Sequence, residues 1–542
     1  MTLFEQILVS RGLVGEARES FLNPDYNAKH DPFLLSDMQK AVDRLKRARN
    51  NQEKVVIYGD YDIDGLSATA LLLDAFTSFG FKHIDAFIPN RFNEGYGMTK
   101  GAVDKVKALG ADLIVTVDCG SLCHEEIAYA STLGVDTVVT DHHNIAPTRP
   151  PAIATVNPKY NDHSYPFRDL AGVGVAFKLV QAMQQQMEGL PEGHEKWLLD
   201  LVSLGTVCDI VTLRDENRAN VYWGIEVMKK QRRPGLKALL SVAGVTSQSI
   251  NTQTLGFSLG PRMNAAGRLD SALYSLDMLR AKDELMALEA AQKLDEFNVR
   301  RKSIQEDIFT EASRQAETMI DKKVLVVSAP GWNHGVIGIV ASKLVEAYHK
   351  PTFVIAEHGE VATGSARSFG EFSVADAVRA AEETIIKGGG HAAAAGVTLE
   401  TAKIPDFRKK VNEYYESLRL TNQDTLLLPR ADVELQDFSE VDEQLIQDIA
   451  QLEPFGNGNS EPVLKISSAL VVGQRRMGSE GQHVKLTVQD SRGQSLKLLA
   501  FNAPEDYFVE PGEYVDVWIC PTMNEWNGFR SVEGRLLYLQ RN

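Results

Sequence analysis

Acidic and imidazole side chains follow directly after three apolar runs of this chain. The run VVIYG precedes three alternating aspartates, LIVTV precedes one aspartate, and DTVVT precedes an Asp-His-His triplet. A further aspartate ends the apolar stretch LVSLGTVC. The side chains that could do chemistry are therefore Asp60, Asp62, Asp64, Asp118, Asp141, His142, His143 and Asp209.

Carboxylates that lie close together repel each other, and the repulsion raises their pKa values. A divalent cation removes this conflict. Several carboxylates with a histidine suit Mn²⁺ or Mg²⁺, and the imidazole favours Mn²⁺. Two such ions, about 3.5–4 Å apart, activate water and stabilise the leaving oxygen in phosphoester cleavage. The pattern predicts a two-ion site of this kind, in which Asp118 could bridge the ions.

Each cluster also has a simpler explanation when it is considered alone. A DxDxD triplet is typical of a solvated loop or a single-cation site, and Asp118 could cap a helix. His142 or His143 could be an ordinary loop histidine. The conjunction favours a site, because every cluster falls at the predicted end of a strand.

Short β-branched runs alternate with helical stretches from Lys54 onward, which predicts a parallel α/β sheet. The predicted strands are VVIYGD, HIDAFIP, DLIVTVD and VDTVVT, and Leu66–Gly80 is a predicted helix. Ligands of such sheets bind beyond the carboxyl ends of the strands. We therefore expect the acidic clusters to meet at one edge of the sheet.

The rest of the chain predicts a linker and two further domains. Residues 274–318 are rich in Ala, Leu, Glu and Lys and predict one or two long helices. A second α/β rhythm begins at KVLVVSAP, and short alternating strands with Gly-rich turns near the C-terminus predict an OB-fold barrel. The expected divisions are an N-terminal helical extension packed on the catalytic domain (1–50), the catalytic α/β domain (51–272), a helical linker (273–320), a second α/β domain (321–418) and the barrel (425–542).

Composition narrows the class of protein. The 542 residues include 57 basic and 73 acidic side chains, a net charge of −16 that argues against wholesale coating of nucleic acid but allows a local basic groove. The four cysteines form no CxxC pair, which favours a reducing cytosol. We find no signal peptide and no apolar run of about 18 residues, so we expect a cytoplasmic protein without a membrane span.

The motifs GDYDIDG, VDCG and TDHH, in this order, resemble the DHH phosphoesterase superfamily. Further stretches resemble its RecJ-type single-strand exonucleases over nearly the whole chain. They are IPNRFNEGYG, LAGVGVAFKL, LVSLGTVCDIV, LGPRMNAAGRLD, GWNHGVIGIVASKL, GSARS, GGGHAAAAG and LEPFGNGNSEPVL. The resemblance implies a DHH phosphoesterase domain at 51–272, a DHH-associated subfamily 1 domain at 321–418 and a single-strand-binding OB-fold at 425–542.

The resemblance also implies residue roles. Asp60, Asp62, Asp64, Asp118, His142 and Asp209 match metal ligands, with Asp118 bridging the two ions. Asp141 is expected to support His142, and His143 is expected to face the scissile phosphate, so Asp118, Asp141 and His143 form the catalytic set. Related pyrophosphatases carry a histidine where this chain has Tyr58, and Asp60 is expected to compensate.

Contacts with the DNA or its 5′ phosphate are expected mainly from arginines and small residues. Guanidinium groups bind phosphates in a bidentate manner, and exposed glycine N–H groups can hold a phosphate. Any of these arginines could instead form a surface ion pair, and the glycines could form a turn packed on a helix. The candidates are Arg91, Arg262, Asn264, Arg268, Ser365, Arg367, Gly389, Gly390 and His391.

In the barrel, the candidates for base stacking are Phe501, Trp518, Trp526 and Phe529, and those for groove charges are Arg475, Arg476, Lys485 and Lys497. Most of these aromatics could equally be core.

The resemblance implies a single-stranded-DNA-specific 5′→3′ exonuclease that uses two Mn²⁺ or Mg²⁺ ions and acts in DNA recombination and repair. The expected partners are single-stranded DNA, a single-strand-binding protein and a helicase, with no membrane, and a monomer is expected. Two alternative functions are also considered. One is a hydrolase of short oligonucleotides, cyclic dinucleotides or pyrophosphate, and the other is a scaffold protein without a metal site. The barrel and linker disfavour the first, and the complete set of acidic residues disfavours the second.

Overall fold

The computed structural model describes residues 1–90, 94, 97–420, 428–526 and 528–542, without the side chain of Trp526. The N-terminal segment forms α1 (Leu3–Ser10), α2 (Glu16–Leu22) and α3 (Met38–Asn50). Among the described residues, no helix combines the length and the apolar character needed to cross a bilayer.

A five-stranded parallel sheet forms the centre of the catalytic domain, in the order β2-β1-β3-β4-β5. Its elements are β1 (Val55–Gly59), α4 (Ile63–Ser78), β2 (Ile84–Phe87), α5 (Lys100–Ala108), β3 (Leu113–Val117), α6 (His124–Thr132), β4 (Asp136–Thr140) and β5 (Ala154–Val156). Every residue of β1 and β3 is buried, which explains why both appear as continuous apolar runs. The four predicted strands are confirmed. The short β5 was not predicted.

Helices cover this sheet and extend the catalytic core. They are α7 (Gly172–Gln186), α8 (Leu199–Cys208), α9 (Asp215–Lys229), α10 (Pro234–Val242) and α11 (Gly260–Leu269), with a wide π-helical turn, Thr254–Leu259, before α11. The core cluster combines β1 and β3 residues with α4, α7, α8 and α10 residues such as Phe76, Phe177, Leu201 and Leu239.

The predicted helical linker consists of α12 (Leu273–Arg280) and α13 (Glu284–Glu317). At 1.5 Å per residue, the 34 residues of α13 span about 50 Å. Its N-terminal half packs into the catalytic core through Ala291 and Leu294, and its C-terminal half packs into a second core through Ile308 and Ala312. One continuous helix therefore joins two hydrophobic cores.

The second α/β domain is a mixed sheet in the order β6-β7-β8-β10-β9, in which only β6 and β7 are parallel. Its elements are β6 (Leu325–Pro330), α14 (Ile337–Tyr348), β7 (Thr352–His358), β8 (Val361–Arg367), α15 (Val374–Ala380), β9 (Lys387–Gly390), β10 (Ala394–Glu400) and α16 (Ile404–Ser417). The antiparallel hairpin β9–β10 carries the GGGH stretch.

The C-terminal domain is the predicted closed barrel. Its elements are β11 (Val433–Leu435), α17 (Glu443–Ala450), β12 (Leu464–Met477), β13 (His483–Gln489), β14 (Ser495–Ala500), β15 (Tyr514–Trp526) and β16 (Phe529–Arg541). Strands β12 to β16 follow the order β12-β13-β14-β16-β15, and β15 pairs again with β12. This last pairing closes a five-stranded barrel of the OB type.

The N-terminal extension differs from the prediction that residues 1–50 pack on the catalytic domain. Helix α3 does so, with Met38 and Leu45 in the catalytic core. Helix α1 instead buries Phe4 and Ile7 in the core of the C-terminal domain. The apolar face of a short helix can pack on the catalytic domain or on the C-terminal domain. Its own sequence does not distinguish between these two surfaces.

Candidate metal centre and substrate contacts

The three aspartates of GDYDIDG have three different positions. Asp60 follows β1, and Asp62 caps α4 by accepting a hydrogen bond from the Gly65 N–H (3.0 Å). Helix α4 begins at Ile63, earlier than predicted, so Asp64 lies in its first turn. A side chain at Gly65 would lie 2.6 Å from the Asp60 carbonyl oxygen, so only glycine allows this close approach.

Asp64 is buried and held by the N-terminus of α7. The backbone N–H groups of Gly172 and Val173 donate to its two carboxylate oxygens at 2.6 and 2.9 Å. A Cβ atom at Gly172 would lie 2.6 Å from Asp118 Oδ1, and one at Gly205 would lie 2.7 Å from Asp64 Oδ1. These two glycines therefore leave room for the carboxylates. They lie in the motifs LAGVGVAFKL and LVSLGTVCDIV, and no site role was predicted for them from the sequence.

Asp118 and His142 lie at the ends of neighbouring strands and meet in the buried centre of the site. Asp118 has a left-handed backbone (φ 60°), a conformation that aspartate tolerates better than most residues. Its Oδ1 atom lies 3.1 Å from His142 Nε2. Neither atom makes a well-formed hydrogen bond to any described residue, although both are buried. Buried polar atoms in this state suit the coordination of a metal ion.

Oxygen and nitrogen atoms from five elements converge here in three overlapping groups. Within each group the ligand atoms lie within 4.8 Å of one another. The groups are Asp60, Asp62 and Asp118; Asp64, His142 and Asp209; and Asp118, His142 and His143. Asp209 follows α8 and places its Oδ2 atom 3.5 Å from His142 Nε2. Every predicted metal ligand thus belongs to one cluster, and Asp118 is shared by two groups.

The electrostatics of the cluster favour a cation. Burial, together with Asp209 and Asp62, raises the pKa of Asp64 well above its usual value. Burial and neighbouring aspartates likewise raise the pKa of Asp118, and burial and Asp62 raise that of Asp209 to about 7. Burial lowers the pKa of His142 to about 4, so its imidazole is neutral, which is the form that binds metals. The residues present therefore fit a divalent ion.

Asp141 does not belong to these groups and instead orients the two histidines. Its Oδ1 atom accepts from the N–H groups of His142 (2.8 Å) and His143 (3.1 Å) and lies 2.9 Å from His143 Nδ1. Its Oδ2 atom accepts from the Ser121 N–H at 2.9 Å. Burial lowers the pKa of His143, but the hydrogen bond and charge of Asp141 outweigh it and raise that pKa above its ordinary value.

Tyr58 stands where related pyrophosphatases have a histidine, and it belongs to none of the three groups. It is buried, its hydroxyl donates to the Gly97 carbonyl (3.1 Å), and its ring stacks on Phe87. Asp60 belongs to the group that contains Asp62 and Asp118, and its compensating role stays a prediction.

The predicted contacts in the second domain lie at two places, on strand β8 and in the β9–β10 hairpin. Ser365 and Arg367 lie on one face of β8 next to the first turn of α14. A Cβ atom at Gly338 would lie 2.9 Å from Ser365 Oγ and 3.3 Å from Arg367 Nη2. Gly389, Gly390 and His391 are exposed in the β9–β10 hairpin.

The remaining predicted contacts have different surroundings. Arg262 pairs with Asp295 of α13 at 2.8 Å, and its contact with DNA stays a prediction. Arg268 Nη1 donates to the Gly335 carbonyl (3.1 Å) and so connects the catalytic and second domains. Asn264 and Arg268 line the same cavity. Arg91 lies outside the described residues.

In the barrel, the aromatic candidates divide by exposure. Phe501 is 65% exposed and Phe529 is 82% exposed. Trp518 is 7% exposed and packs against Tyr538, so it belongs to the core. Lys485 pairs with the buried Glu533 at 2.9 Å, and the side chain of Trp526 is outside the described part of the structure.

Comparisons with known families match three parts of the chain. Residues 54–206 match the DHH family, N-terminal domain; residues 321–417 match the DHHA1 domain; and residues 431–537 match the RecJ OB domain. The chain is 34% identical to the single-stranded-DNA-specific exonuclease RecJ of Salmonella typhimurium, covering 98% of this chain and 94% of that relative. The chain belongs to the RecJ family.

Other RecJ proteins are similar to this chain over most of its length. The Escherichia coli RecJ is 35% identical, with 92% of this chain and 89% of that relative covered. The Bacillus subtilis RecJ is 36% identical over 97% of this chain, which spans 66% of that relative's length. The family resemblance noted in the motifs is confirmed.

Solved RecJ structures have the same architecture. Thermus thermophilus RecJ in complex with Mn²⁺ has a TM-score of 0.84 at 28% identity and covers 99% of this chain and 76% of that one. An exonuclease RecJ bound to manganese has a TM-score of 0.63 at 32% identity and covers 72% of this chain and 97% of that one. The Thermus RecJ structure with Mg²⁺ has a TM-score of 0.77. Both predicted metals therefore occur in RecJ structures.

Proposed function

We propose that this chain is a metal-dependent exonuclease that degrades single-stranded DNA from its 5′ end. The observation that carries the proposal is the convergence of carboxylate and imidazole atoms within 4.8 Å at one edge of the parallel sheet. This chain belongs to the RecJ family and also has an OB domain. OB domains of this kind combine stacking aromatics and basic grooves that bind single strands.

The ligands that would hold the ions follow from the three groups. We assign Asp60, Asp62 and Asp118 to one ion and Asp64, His142 and Asp209 to the other, with Asp118 Oδ1 also next to His142 Nε2. When bound, Mn²⁺ or Mg²⁺ supplies Lewis acidity that makes water more acidic and offsets charge on the phosphate. The N–H groups of Gly172 and Val173 keep Asp64 in place for this purpose.

His143 is assigned to the scissile phosphate. Asp141 holds its Nδ1 atom at 2.9 Å and keeps its ring oriented, and its side chain is more exposed than that of His142. Its raised pKa favours the protonated imidazole, which can donate a hydrogen bond to the negative charge that develops on the phosphate. Asp141 is a positioning residue, since its own oxygens contact the histidines and Ser121.

We assign the specificity for single-stranded DNA to the cleft between the two α/β domains and to the barrel. Arg268 and α13 hold the second domain against the catalytic domain, and a narrow cleft between them would exclude a duplex. Arg367, Ser365 and His391 are assigned to the DNA backbone. A role in recombination and repair follows from the family. Recruitment by a single-strand-binding protein and a helicase, and a monomeric state, stay predictions.

The experiment is a time course with Mn²⁺ on a single-stranded oligonucleotide carrying a 5′ phosphate and a 3′ label. We expect steadily shortening labelled fragments for the wild type and none for Asp118→Ala. Asp307→Ala, which removes an exposed carboxylate from α13, is the matched control and should behave like the wild type. Cleavage of a blunt duplex at the same rate would contradict single-strand specificity. Hydrolysis of dinucleotides alone would favour the small-substrate alternative.

A further inference from the structure

A cavity of about 560 Å³ lies where the three domains meet. Its walls come from the segment after α8, the π-helical turn and α11 of the catalytic domain, from α13, from α14 of the second domain, and from the loop before β12. The residues that matter here are Ile210, Phe257, Arg268, Arg301, Ile339 and Phe455. Its volume falls within the range of ligand sites, about 300–1,000 Å³.

Two large apolar side chains stand exposed at this cavity. Phe257 is 75% exposed in the π-helical turn, and Ile210 is 71% exposed. Ile210 also has a left-handed backbone (φ 60°), which is unusual and strained for a β-branched residue. Strained backbone and π-helical turns concentrate at functional sites.

A buried cation lines the same cavity. Arg301 of α13 is only 8% exposed. Its terminal nitrogens donate to the neutral amide oxygens of Asn298 and Gln305, both at 2.6 Å. No carboxylate of the described residues lies within 4.0 Å of this guanidinium. Buried charges are normally paired, so an uncompensated guanidinium in a ligand-sized cavity indicates an anionic ligand.

The cavity borders the segments that carry metal-group residues: a Cβ atom at its lining residue Gly260 would lie 3.5 Å from Cδ1 of Ile63, the residue between Asp62 and Asp64. Cys208 and Ile210 both line it, and the metal-group residue Asp209 lies between them. A strand whose scissile phosphate lies at the metal centre would therefore extend its neighbouring nucleotide towards the cavity. Apolar and aromatic surface with the cations Arg268 and Arg301 matches a nucleotide, which has an aromatic base and an anionic phosphate.

We propose that this cavity binds one nucleotide of the DNA strand, next to the nucleotide at the metal centre. The base contacts Phe257 and Ile210, and the phosphate contacts Arg301. This inference rests on the proposed exonuclease function and adds a subsite to it. The subsite would hold the strand in place between successive cleavage events.

The test uses 5′-phosphorylated oligonucleotides of one length, each with a single abasic site at a successive position, and measures KM and kcat with Mn²⁺. Loss of stacking should raise KM about fivefold or more at one position near the cleaved bond. Phe257→Ala should raise KM similarly on the intact strand and show no further loss at that abasic position. Leu285→Ala, which truncates an exposed apolar residue of α13, is the control and should match the wild type.

Arg301 is tested with the same series carrying a neutral methylphosphonate at successive linkages. The wild type should lose affinity at one linkage beside the sensitive base, and Arg301→Met should lose that sensitivity. Arg300→Met removes the exposed neighbouring arginine and serves as control. If Arg301→Met does not fold, Arg301→Lys and the wild-type scan still decide the point. Because the scan needs only the wild type, a scan without any sensitive linkage overturns the role of Arg301.

The outcomes separate the two proposals. A wild type that cleaves no intact oligonucleotide refutes the proposed function itself. A wild type that cleaves the intact strand but treats all abasic substrates alike refutes only the subsite. The subsite is also refuted if Phe257→Ala and the abasic site each raise KM and their effects multiply when combined. Multiplying effects are independent, which means that the base does not contact Phe257.

Discussion

Asp118 Oδ1 lies 3.1 Å from His142 Nε2, although the two residues come from the ends of different strands, β3 and β4. Parallel pairing brings these ends together, and the left-handed backbone of Asp118 accompanies the approach. Two buried polar atoms at this distance without a well-formed hydrogen bond are costly in a protein without metal. Their arrangement is explained by an ion that binds both.

Asp118→Asn should abolish the exonuclease activity, with a fall in kcat/KM of at least about 100-fold, because a shared ligand is lost. Mn²⁺ affinity, measured by calorimetry, should fall together with activity. The metal-free protein should keep its Tm or gain stability, since one of several mutually repelling carboxylates becomes neutral. An inactive variant with unchanged Mn²⁺ affinity would contradict the assignment of Asp118 as a ligand.

Gly172→Ala should lower activity more than tenfold, because the added methyl group would lie 2.6 Å from Asp118 Oδ1 and displace that carboxylate. Gly174→Ala is a matched control two residues further along α7. Its methyl group would meet Leu170 no closer than 3.4 Å. We therefore expect near-normal activity for Gly174→Ala, with Mn²⁺ titrations and circular dichroism on both variants. Equal activity of the two variants would show that Gly172 does not control the metal centre.

Arg367→Glu should weaken binding of 5′-phosphorylated single strands about tenfold or more without changing Mn²⁺ affinity, because a charge-assisted contact to phosphate is replaced by repulsion. Its slope of log affinity against log salt should become shallower by about 1 or more. Arg379→Glu, an exposed change on α15 of the same domain, should have a smaller effect. Anisotropy titrations at several salt concentrations measure both quantities.

Phe501→Ala and Phe529→Ala should each weaken single-strand binding by about 1–3 kcal/mol if their rings stack on bases, with little change in Tm. Trp518→Ala should instead destabilise the barrel by about 3–5 kcal/mol, because this side chain is buried against Tyr538. Denaturant unfolding and strand-binding titrations separate the two effects. Normal binding by both phenylalanine variants would place the strand elsewhere.

The sequence by itself determined the fold class and most of the metal cluster. Continuous apolar runs predicted buried parallel strands, and a parallel sheet collects whatever follows its strands at one edge. Asp60, Asp62, Asp118 and His142 could therefore be placed together from their positions after β1, β3 and β4. The closed barrel was also predictable, because short alternating strands with Gly-rich turns are typical of it.

Only the tertiary structure decided which side chains serve the site and which serve the fold. Asp209 reaches His142 from the end of a helix, and the glycines of α7 and α8 leave room for carboxylates from distant parts of the chain. Arg262 is paired with Asp295, and α1 packs on the barrel. These relationships depend on residues far apart in sequence. Local periodicity carries no information about such partners, because burial and contact are set only when the helices and domains pack.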